Sequence, residues 1–410
     1  MVAEIINVGT EILMGNIVNT NACFLAKKCA DLGLNLYHQQ VVGDNMQRLV
    51  ESLNLASARS DIIILSGGLG PTLDDMTREG LSSFLEMPLI LNDEIKSRLE
   101  EFFKSRNIEI TENNFRQAMV IKDAIIVDNH NGTAPGMIVE KGDKTYILLP
   151  GPPFELEPMF GDIEKYIRTK LSGLIYSRTL KLCNASESVI ETKMFDLLKN
   201  SNPTVAIYAK VATIDIRISA MADDEESAIK LIEPIETEIK KRFGKHIFSD
   251  DENATLESTV LDLLRKKGQT LAVAESCTGG LLASNIIENA GASDVFKMGL
   301  VTYSDESKSE LLNVPKMVIL RHGAVSADTA EAMCVGLFEK YGADANIAIT
   351  GVAGPTGSDK KPVGLVYIAC SYDGRINIVE HKFRGNRNVI RNRAAKFAIT
   401  LLRDMILGIR

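Results

Sequence analysis

Short apolar runs alternate with amphipathic stretches along most of the chain. Ala3-Glu4-Ile5-Ile6-Asn7-Val8 reads as a strand, a helical pattern runs from Thr20 to Leu32 and is stopped by Gly33, and Ile62-Ile63-Ile64-Leu65 is apolar throughout. Strands apolar on both faces and separated by helices predict a parallel sheet covered on both sides. Residues 1–170 are therefore expected to form a doubly wound α/β domain.

The texture changes over residues 171–250. A strand (Thr179 to Cys183), a helix (Ser186 to Lys199), a hairpin and a second helix (Glu225 to Phe243) predict a small α+β module. Within the hairpin, Thr213-Ile214-Asp215-Ile216-Arg217-Ile218-Ser219 alternates strictly, which predicts one exposed face. Ser249-Asp250-Asp251-Glu252-Asn253 has the polar, acidic character of a linker. From about Ala254 the α/β rhythm returns. It gives a helix to Lys267, the strand Thr270 to Ala274, a helix from Gly279, the strand Met298 to Tyr303, and a helix from Ala327 to Tyr341. The strand Asn346 to Thr350, a strand pair (Val363 to Cys370, Ile376 to Phe383) and a final helix from Asn388 complete it. Residues 251–410 are expected to be a second doubly wound α/β domain, so the fold class is α/β, with two such domains joined by the small module.

Composition narrows the function classes. The 410 residues are 45% hydrophobic and 24% charged, and no apolar run approaches the roughly 20 residues of a membrane span. With no basic n-region or cleavage signal at its start, the chain is expected to stay in the cytoplasm. Its six cysteines form no C-x-x-C pair, so neither a zinc site nor a disulfide framework is indicated. Forty-six basic residues against fifty-four acidic ones give a net charge of −8, which disfavours nucleic acid and favours small-molecule substrates.

The first chemical candidate is the turn Glu275-Ser276-Cys277-Thr278-Gly279-Gly280 between a strand and a helix. A serine there stands at the carboxyl edge of the sheet, beside helix-start N–H groups that could form an oxyanion hole, and the glycines admit a substrate to the backbone. Serine needs a base, which Tyr303-Ser304-Asp305-Glu306-Ser307-Lys308 offers as a Ser-Lys pair with a tyrosine relay, provided burial lowers the Lys308 pKa. The same turn also reads as a plain helix cap, with Lys308 a solvated charge. Cys277 is a rival nucleophile, and His322 or His381 would be the base of a Ser-His-Asp alternative. Thr350-Gly351-Val352-Ala353-Gly354-Pro355 can approach a ligand by its backbone, and Arg384-Gly385-Asn386-Arg387 with Arg391 offers forked phosphate donors or a basic surface turn.

The first domain carries Val8-Gly9-Thr10-Glu11 after its opening strand and Ser66-Gly67-Gly68-Leu69-Gly70-Pro71-Thr72-Leu73-Asp74-Asp75 after a buried one. Glycines between a strand and a helix make an anion cradle, and Glu11, Asp74 and Asp75 suit a hard divalent cation; alternatively, they only complement the helix dipole. Asn131-Gly132-Thr133-Ala134-Pro135-Gly136 and Pro150-Gly151-Pro152-Pro153 are two more tight loops expected to line the same cleft.

Taken together, Ala-Glu-Ser-Cys-Thr-Gly-Gly, Val-Thr-Tyr-Ser…Lys, His-Gly-Ala-Val-Ser, Thr-Gly-Val-Ala-Gly-Pro…Lys-Pro-Val-Gly and the Arg-rich helix start resemble the carboxy-terminal domain of the competence/damage-inducible protein A (CinA) family. That resemblance implies a nicotinamide-nucleotide amidase without a cofactor, which converts nicotinamide mononucleotide to nicotinate mononucleotide and ammonia. Ser276 would be the acylated nucleophile, activated by Tyr303 and Lys308. Thr278, Gly279, Thr350, Gly351, Ala353 and Gly354 would contact substrate, and Arg387 or Arg391 its phosphate. The loop between Pro355 and Pro362 is shorter than in some relatives. The amino-terminal loops resemble the molybdopterin-binding fold, and more closely the first domain of the same family. The resemblance there implies an ADP-ribose pyrophosphatase using Mg, Mn or Co, with potassium as a further ion. Thr10, Gly67, Gly68, Gly70, Pro71, Thr72, Gly132, Thr133, Pro150 and Gly151 would bind substrate, and Glu11, Asp74 and Asp75 the metal. The middle module resembles a KH-like connector, without a Gly-x-x-Gly loop or a basic, aromatic RNA face, and a homodimer is implied. Two other functions fit the same resemblance: a competence or DNA-recombination binding protein, and a molybdopterin-binding protein with a vestigial tail.

Overall fold

The computed structural model describes residues 1–171, 173–357 and 361–409. The expected short loop before Pro362 lies partly outside the described residues. By internal packing the chain forms two compact units, one of residues 1–176 with 221–229 and the other of residues 177–220 with 230–410.

In the first unit six strands lie in the order Asn35–Val42, Val2–Val8, Ile62–Ser66, Lys144–Leu149, Gly136–Lys141, Ile125–Val127. The first four run parallel, in a register that sets Ile5 beside Ile64 and Ile64 beside Ile147. The last two are antiparallel, so the sheet is not parallel throughout as expected. The two-residue turn at Gly142 leaves no room for a crossover helix, which forces that hairpin. Alternate residues feed two cores. Ile6, Val8, Ile63 and Leu65 pack on one face, and Ala3, Ile5, Ile62 and Ile64 on the other. The helix Thr20–Asp31 starts where the Asn19 side chain accepts from the Ala22 N–H (3.0 Å) and buries Leu25 and Cys29, one turn apart. Met46–Arg59 starts likewise at Asn45 and buries Leu49, Ser52, Leu53 and Ala56, a stripe at helical spacing.

The small module's sheet has the order Thr204–Ala209, Thr213–Ala222, Leu174–Cys183, Ile247–Ser249. Its alternating strand buries Ile214, Ile216 and Ile218, but the opposite face is only half open and Asp215 is buried. The polar stretch 249–253 is not a loose tether. Lys181 donates to the carbonyls of Glu252 and Ala254, Asn184 donates to Asp404 (2.7 Å), and Arg403 to the Ile247 carbonyl (2.8 Å).

The carboxy-terminal sheet has the order Phe296–Val301, Leu271–Glu275, Ala345–Gly351, Leu365–Tyr372, Arg375–Lys382, with the first three strands parallel and the last two antiparallel. Its two faces differ in side-chain size. Leu271, Val273, Ile347, Ile349 and Ile368 meet the helices Leu256–Lys266 and Arg387–Ile406. Ala272, Ala274, Ala348 and Ala369 face the helix Ala327–Tyr341. The alanine face admits that helix closely, and it carries Gly336, where a Cβ would lie 1.8 Å from the Leu312 carbonyl oxygen. A short helix, Lys316–His322, was not foreseen from the sequence pattern.

Candidate active sites

Ser276 is the first residue past the carboxyl end of the strand Leu271–Glu275. Its N–H donates to the Ile349 carbonyl (2.9 Å) and the Thr302 N–H to the Glu275 carbonyl (2.8 Å), so both neighbouring strands hold the turn. The helix Asp305–Leu312 begins at Ser304, whose hydroxyl accepts from the Ser307 N–H, and its first turn sends Lys308 inward. Lys308 is 1% exposed, with Nζ 3.5 Å from Ser276 Oγ and donating to the carbonyls of Thr302 (3.0 Å) and Tyr303 (3.2 Å). Burial pushes its amine below the usual lysine value, against the pull of Asp305 and Glu306. A neutral amine has a lone pair to accept the serine proton, and closing the gap by about half an ångström gives transfer geometry.

The neighbours sort by what they touch. Cys277 lies in the large-residue core with Val273, Ile349 and Ile390, and burial pushes its thiol up to about 12, so the thiolate a nucleophile needs is not formed near neutrality. Tyr303 departs from the expected relay. The residue is 63% exposed and meets Lys308 through its main-chain carbonyl. Glu275, not singled out from the sequence, is buried and accepts from the N–H groups of Leu282 (3.0 Å) and Ala283 (2.8 Å). Those donors of the helix Leu281–Ile287 are thus occupied, which moves any oxyanion hole back to the turn itself. There the amides of Cys277, Thr278 and Gly280 are taken up by no carbonyl among the described residues.

Arg391 forks onto the Thr278 carbonyl (Nε 3.1 Å, Nη2 2.7 Å), and a Cβ on Gly279 would lie 3.7 Å from its Nη2. Arg387 donates to the Gly354 carbonyl. Both arginines are therefore tied to the loops expected to hold substrate. Thr350 is fully buried and donates to the Ala324 carbonyl (2.7 Å), bracing the His322–Ser326 turn. Gly351 is hemmed in by the Leu365 carbonyl and Ala353 packs in the core, so neither offers a side-chain contact. His322 is exposed and pairs with Asp328 (3.3 Å), while His381 packs on Phe383 and Phe397. The serine's side-chain neighbour is Lys308, not a histidine.

In the first unit a cleft of about 580 Å³ opens at the carboxyl ends of the parallel strands. Glu11, Gly67, Gly68, Gly70, Pro71, Asp74, Asp75, Thr133, Pro150 and Gly151 all line it, bringing four separate loops to one place. Thr10, Thr72 and Gly132 are not among its lining residues. Thr10 donates its N–H (3.0 Å) and hydroxyl (2.7 Å) to Asp44, a lining residue the sequence did not mark. Thr72 donates its N–H (2.9 Å) and hydroxyl (2.5 Å) to Asp75. A Cβ on Gly132 would strike the Glu155 carboxylate. Asn21 joins two loops, donating to Ser66 Oγ (3.0 Å) and the Gly151 carbonyl (2.7 Å), and Arg116 holds the Asp75 carbonyl (3.1 Å) and Glu79 (2.9 Å).

No three His, Cys, Asp or Glu side chains among the described residues converge as a ready metal cage. The donor set still suits a magnesium-like ion, which takes one or two carboxylates and completes its shell with waters and substrate phosphates. Glu11, Asp74 and Asp75 all line the glycine-lined cleft.

These features define a chain with two α/β sites, one a glycine- and carboxylate-lined cleft and the other a buried serine and lysine. Residues 4–169 match the family described as "Probable molybdopterin binding domain", 177–249 the damage-inducible protein CinA KH domain, and 253–406 the CinA C-terminal domain. A CinA-like protein of Kosmotoga olearia is 44% identical over 410 residues, 99% of each chain, and one of Dictyoglomus thermophilum is 43% identical over 412 residues, 100% of each. The chain belongs to the CinA family. A crystal structure of a CinA superfamily protein from Klebsiella pneumoniae is 34% identical over 37% of this chain and 96% of that one, with a TM-score of 0.37. No helix among the described residues is long and apolar enough to cross a membrane.

Proposed function

We propose that this is a two-site pyridine-nucleotide hydrolase whose carboxy-terminal domain deamidates nicotinamide mononucleotide. The observation that carries the reading is the buried Lys308 amine facing Ser276 Oγ at 3.5 Å. Lys308 takes the serine proton as Oγ attacks the carboxamide carbon, amides of the 277–280 turn receive the oxyanion, and the proton passes to the departing ammonia. Water, deprotonated by the same amine, then attacks the acyl carbon, and the C–O bond to Ser276 breaks as Lys308 returns the proton to Oγ, releasing the carboxylate product. Arg387 and Arg391, oriented by their carbonyl partners, serve the substrate phosphate. The test is ammonia release from nicotinamide mononucleotide by the full-length protein. Cys277→Ala is expected to keep kcat within about threefold of wild type, because a buried, protonated thiol does no chemistry. A loss comparable to that in Ser276→Ala would assign the reaction to the thiol.

The amino-terminal cleft is proposed to split ADP-ribose into AMP and ribose 5-phosphate with Mg, Mn or Co held by Glu11, Asp74 and Asp75. A bound ion would neutralise phosphate charge, while Gly67, Gly68 and Gly70 let the pyrophosphate reach the backbone. Asp75→Asn keeps an oxygen for Thr72 but removes the charge. It is expected to lower pyrophosphatase activity by at least about tenfold and raise the metal concentration needed, consistent with loss of a ligand charge. Activity that persists in excess chelator would remove the metal from the reading. Assembly as a homodimer in the cytoplasm belongs to the same proposal.

A further inference from the structure

Glu275 is the last residue of the strand Leu271–Glu275, immediately before Ser276, and is 1% exposed. Each carboxylate oxygen takes one amide of the helix Leu281–Ile287, the Leu282 N–H at 3.0 Å and the Ala283 N–H at 2.8 Å. No lysine or arginine pairs with it among the described residues. A carboxylate buried without a cation is costly, and a neutral serine or asparagine caps a helix as well. A full charge at this place therefore needs a reason beyond capping. The carboxylate spans the turn that carries the nucleophile. On the near side the Glu275 carbonyl accepts from the Thr302 N–H (2.8 Å) and the Ser276 N–H donates to the Ile349 carbonyl (2.9 Å), which fixes the strand end. On the far side the carboxylate holds the second and third residues of the helix. Between these points Gly279 and Gly280 stand at φ +58° and +87°, where no side chain limits the swing of the backbone. The tie from Glu275, with Arg391 on the Thr278 carbonyl, closes the turn.

We propose that Glu275 is a positioning residue for acyl transfer: by tying the strand end to the helix start, it aims the amides of Cys277, Thr278 and Gly280 at the oxyanion that forms on the Ser276 adduct. Such donors lower a barrier only if they are fixed before the charge develops. Hydrogen bonds to an ionised acceptor are about twice as strong as neutral ones, which is the reason for a carboxylate rather than a hydroxyl. Glu275 is not the base, because both its oxygens are held by amides. That task stays with the Lys308 amine, which is set by burial and then by Asp305, Cys277 and Glu306. The inference rests on the proposed serine and lysine chemistry but not on which amide is the natural substrate.

The test uses the full-length protein and two substrates, nicotinamide mononucleotide and p-nitrophenyl acetate. With the ester, Ser276 Oγ attacks the acetyl carbon, p-nitrophenolate leaves without needing a proton, and water then frees acetate, so the ester reads the serine and its oxyanion donors without the phosphate contacts. Glu275→Gln keeps the shape and one acceptor oxygen but turns an N–H2 group toward an amide donor. It is expected to lower kcat on both substrates by at least about tenfold, short of the full 10²- to 10³-fold cost of deleting one oxyanion donor. KM should stay within about threefold, and the pH at which kcat/KM is half-maximal should not move, because Lys308 is untouched. Glu275→Asp keeps the charge but is one methylene too short to span the turn, and is expected to lose at least as much. Activities are taken per folded molecule, from melting curves that place each assay well below the transition. Activity per folded molecule unchanged in Glu275→Gln would make the residue a structural cap alone and overturn the proposal. Full retention in Glu275→Asp, a displaced pH profile, or no Ser276-dependent turnover of either substrate by wild type would overturn it too. Ser276-dependent ester hydrolysis that responds as expected, in a protein releasing no ammonia from nicotinamide mononucleotide, would keep it and defeat the substrate reading alone.

Discussion

Lys308→Met is expected to reduce ammonia release from nicotinamide mononucleotide by about 10²- to 10⁴-fold, the range for removing a general base, and Ser276→Ala by at least as much. The effect should fall on kcat, since neither side chain is placed to hold the ground-state phosphate. Methionine fills nearly the same volume, so the fold should survive. It loses the bonds to the carbonyls of Thr302 and Tyr303 but no longer buries a group that water would rather charge. The pH dependence separates the two terms. Burial sets the native Lys308 pKa below its unfolded value, so between those two pH values the unfolded chain binds more protons and wild-type stability rises with pH. Below the native pKa the burial penalty is fully present. The stability of Lys308→Met relative to wild type should therefore be highest below the lowered native pKa and fall as the pH rises toward the ordinary lysine value of 10.5. Melting curves across that range check it, while wild-type kcat/KM should climb with pH as the amine loses its proton. A difference in stability that does not change with pH would mean Lys308 is not buried as an unfavourable cation.

Gly67→Ala is expected to be the most damaging single change in the amino-terminal unit. Gly67 sits at φ +101°, outside the range an L-residue adopts readily, and a Cβ there would lie 2.2 Å from the Val8 carbonyl oxygen. Its N–H donates to the Leu149 carbonyl (3.0 Å) and its carbonyl accepts from the Thr77 hydroxyl (2.7 Å), so the backbone has no freedom to move aside. Strain of about 1–3 kcal/mol plus the clash should lower the melting temperature of that unit by roughly 5–10 °C and abolish cleft activity. Because Ser276 and Lys308 belong to the other compact unit, ammonia release should persist. Calorimetry combined with the two assays reads all three outcomes, and an unshifted melt with full pyrophosphatase activity would reject the strained-cradle account.

What could be read from the chain was whatever depends on local pattern and on strand ends. All-apolar strands separated by helices announced the layered domains, and βα turns carry their residues to one sheet edge. The four loops around Gly9, Gly67, Thr133 and Gly151 could therefore be assigned to one cleft without knowing the strand order. Ser276 and Lys308 were legible for the same reason, as a strand-end turn and the first turn of the helix after the neighbouring parallel strand.

The remainder depends on which side of a strand or helix a residue faces and on partners distant in sequence. Adjacent residues of the turn face opposite ways, so Cys277 went into the core while Ser276 met the amine. Tyr303 lies just before the helix start, and only the packed helix decided that its carbonyl, not its ring, turns inward. Glu275 had a local signal, an acid beside a helix start, but its burial against two amides appeared only in three dimensions. Asp44 and Arg116 left no motif, because both act on loops more than thirty residues away. The sequence by itself thus determined the layers, the two loop-edge sites and the residues available to them, through periodicity and turn chemistry. The tertiary structure decided which side chains are buried, paired or open, since desolvation and hydrogen bonding depend on neighbours that chain order does not specify.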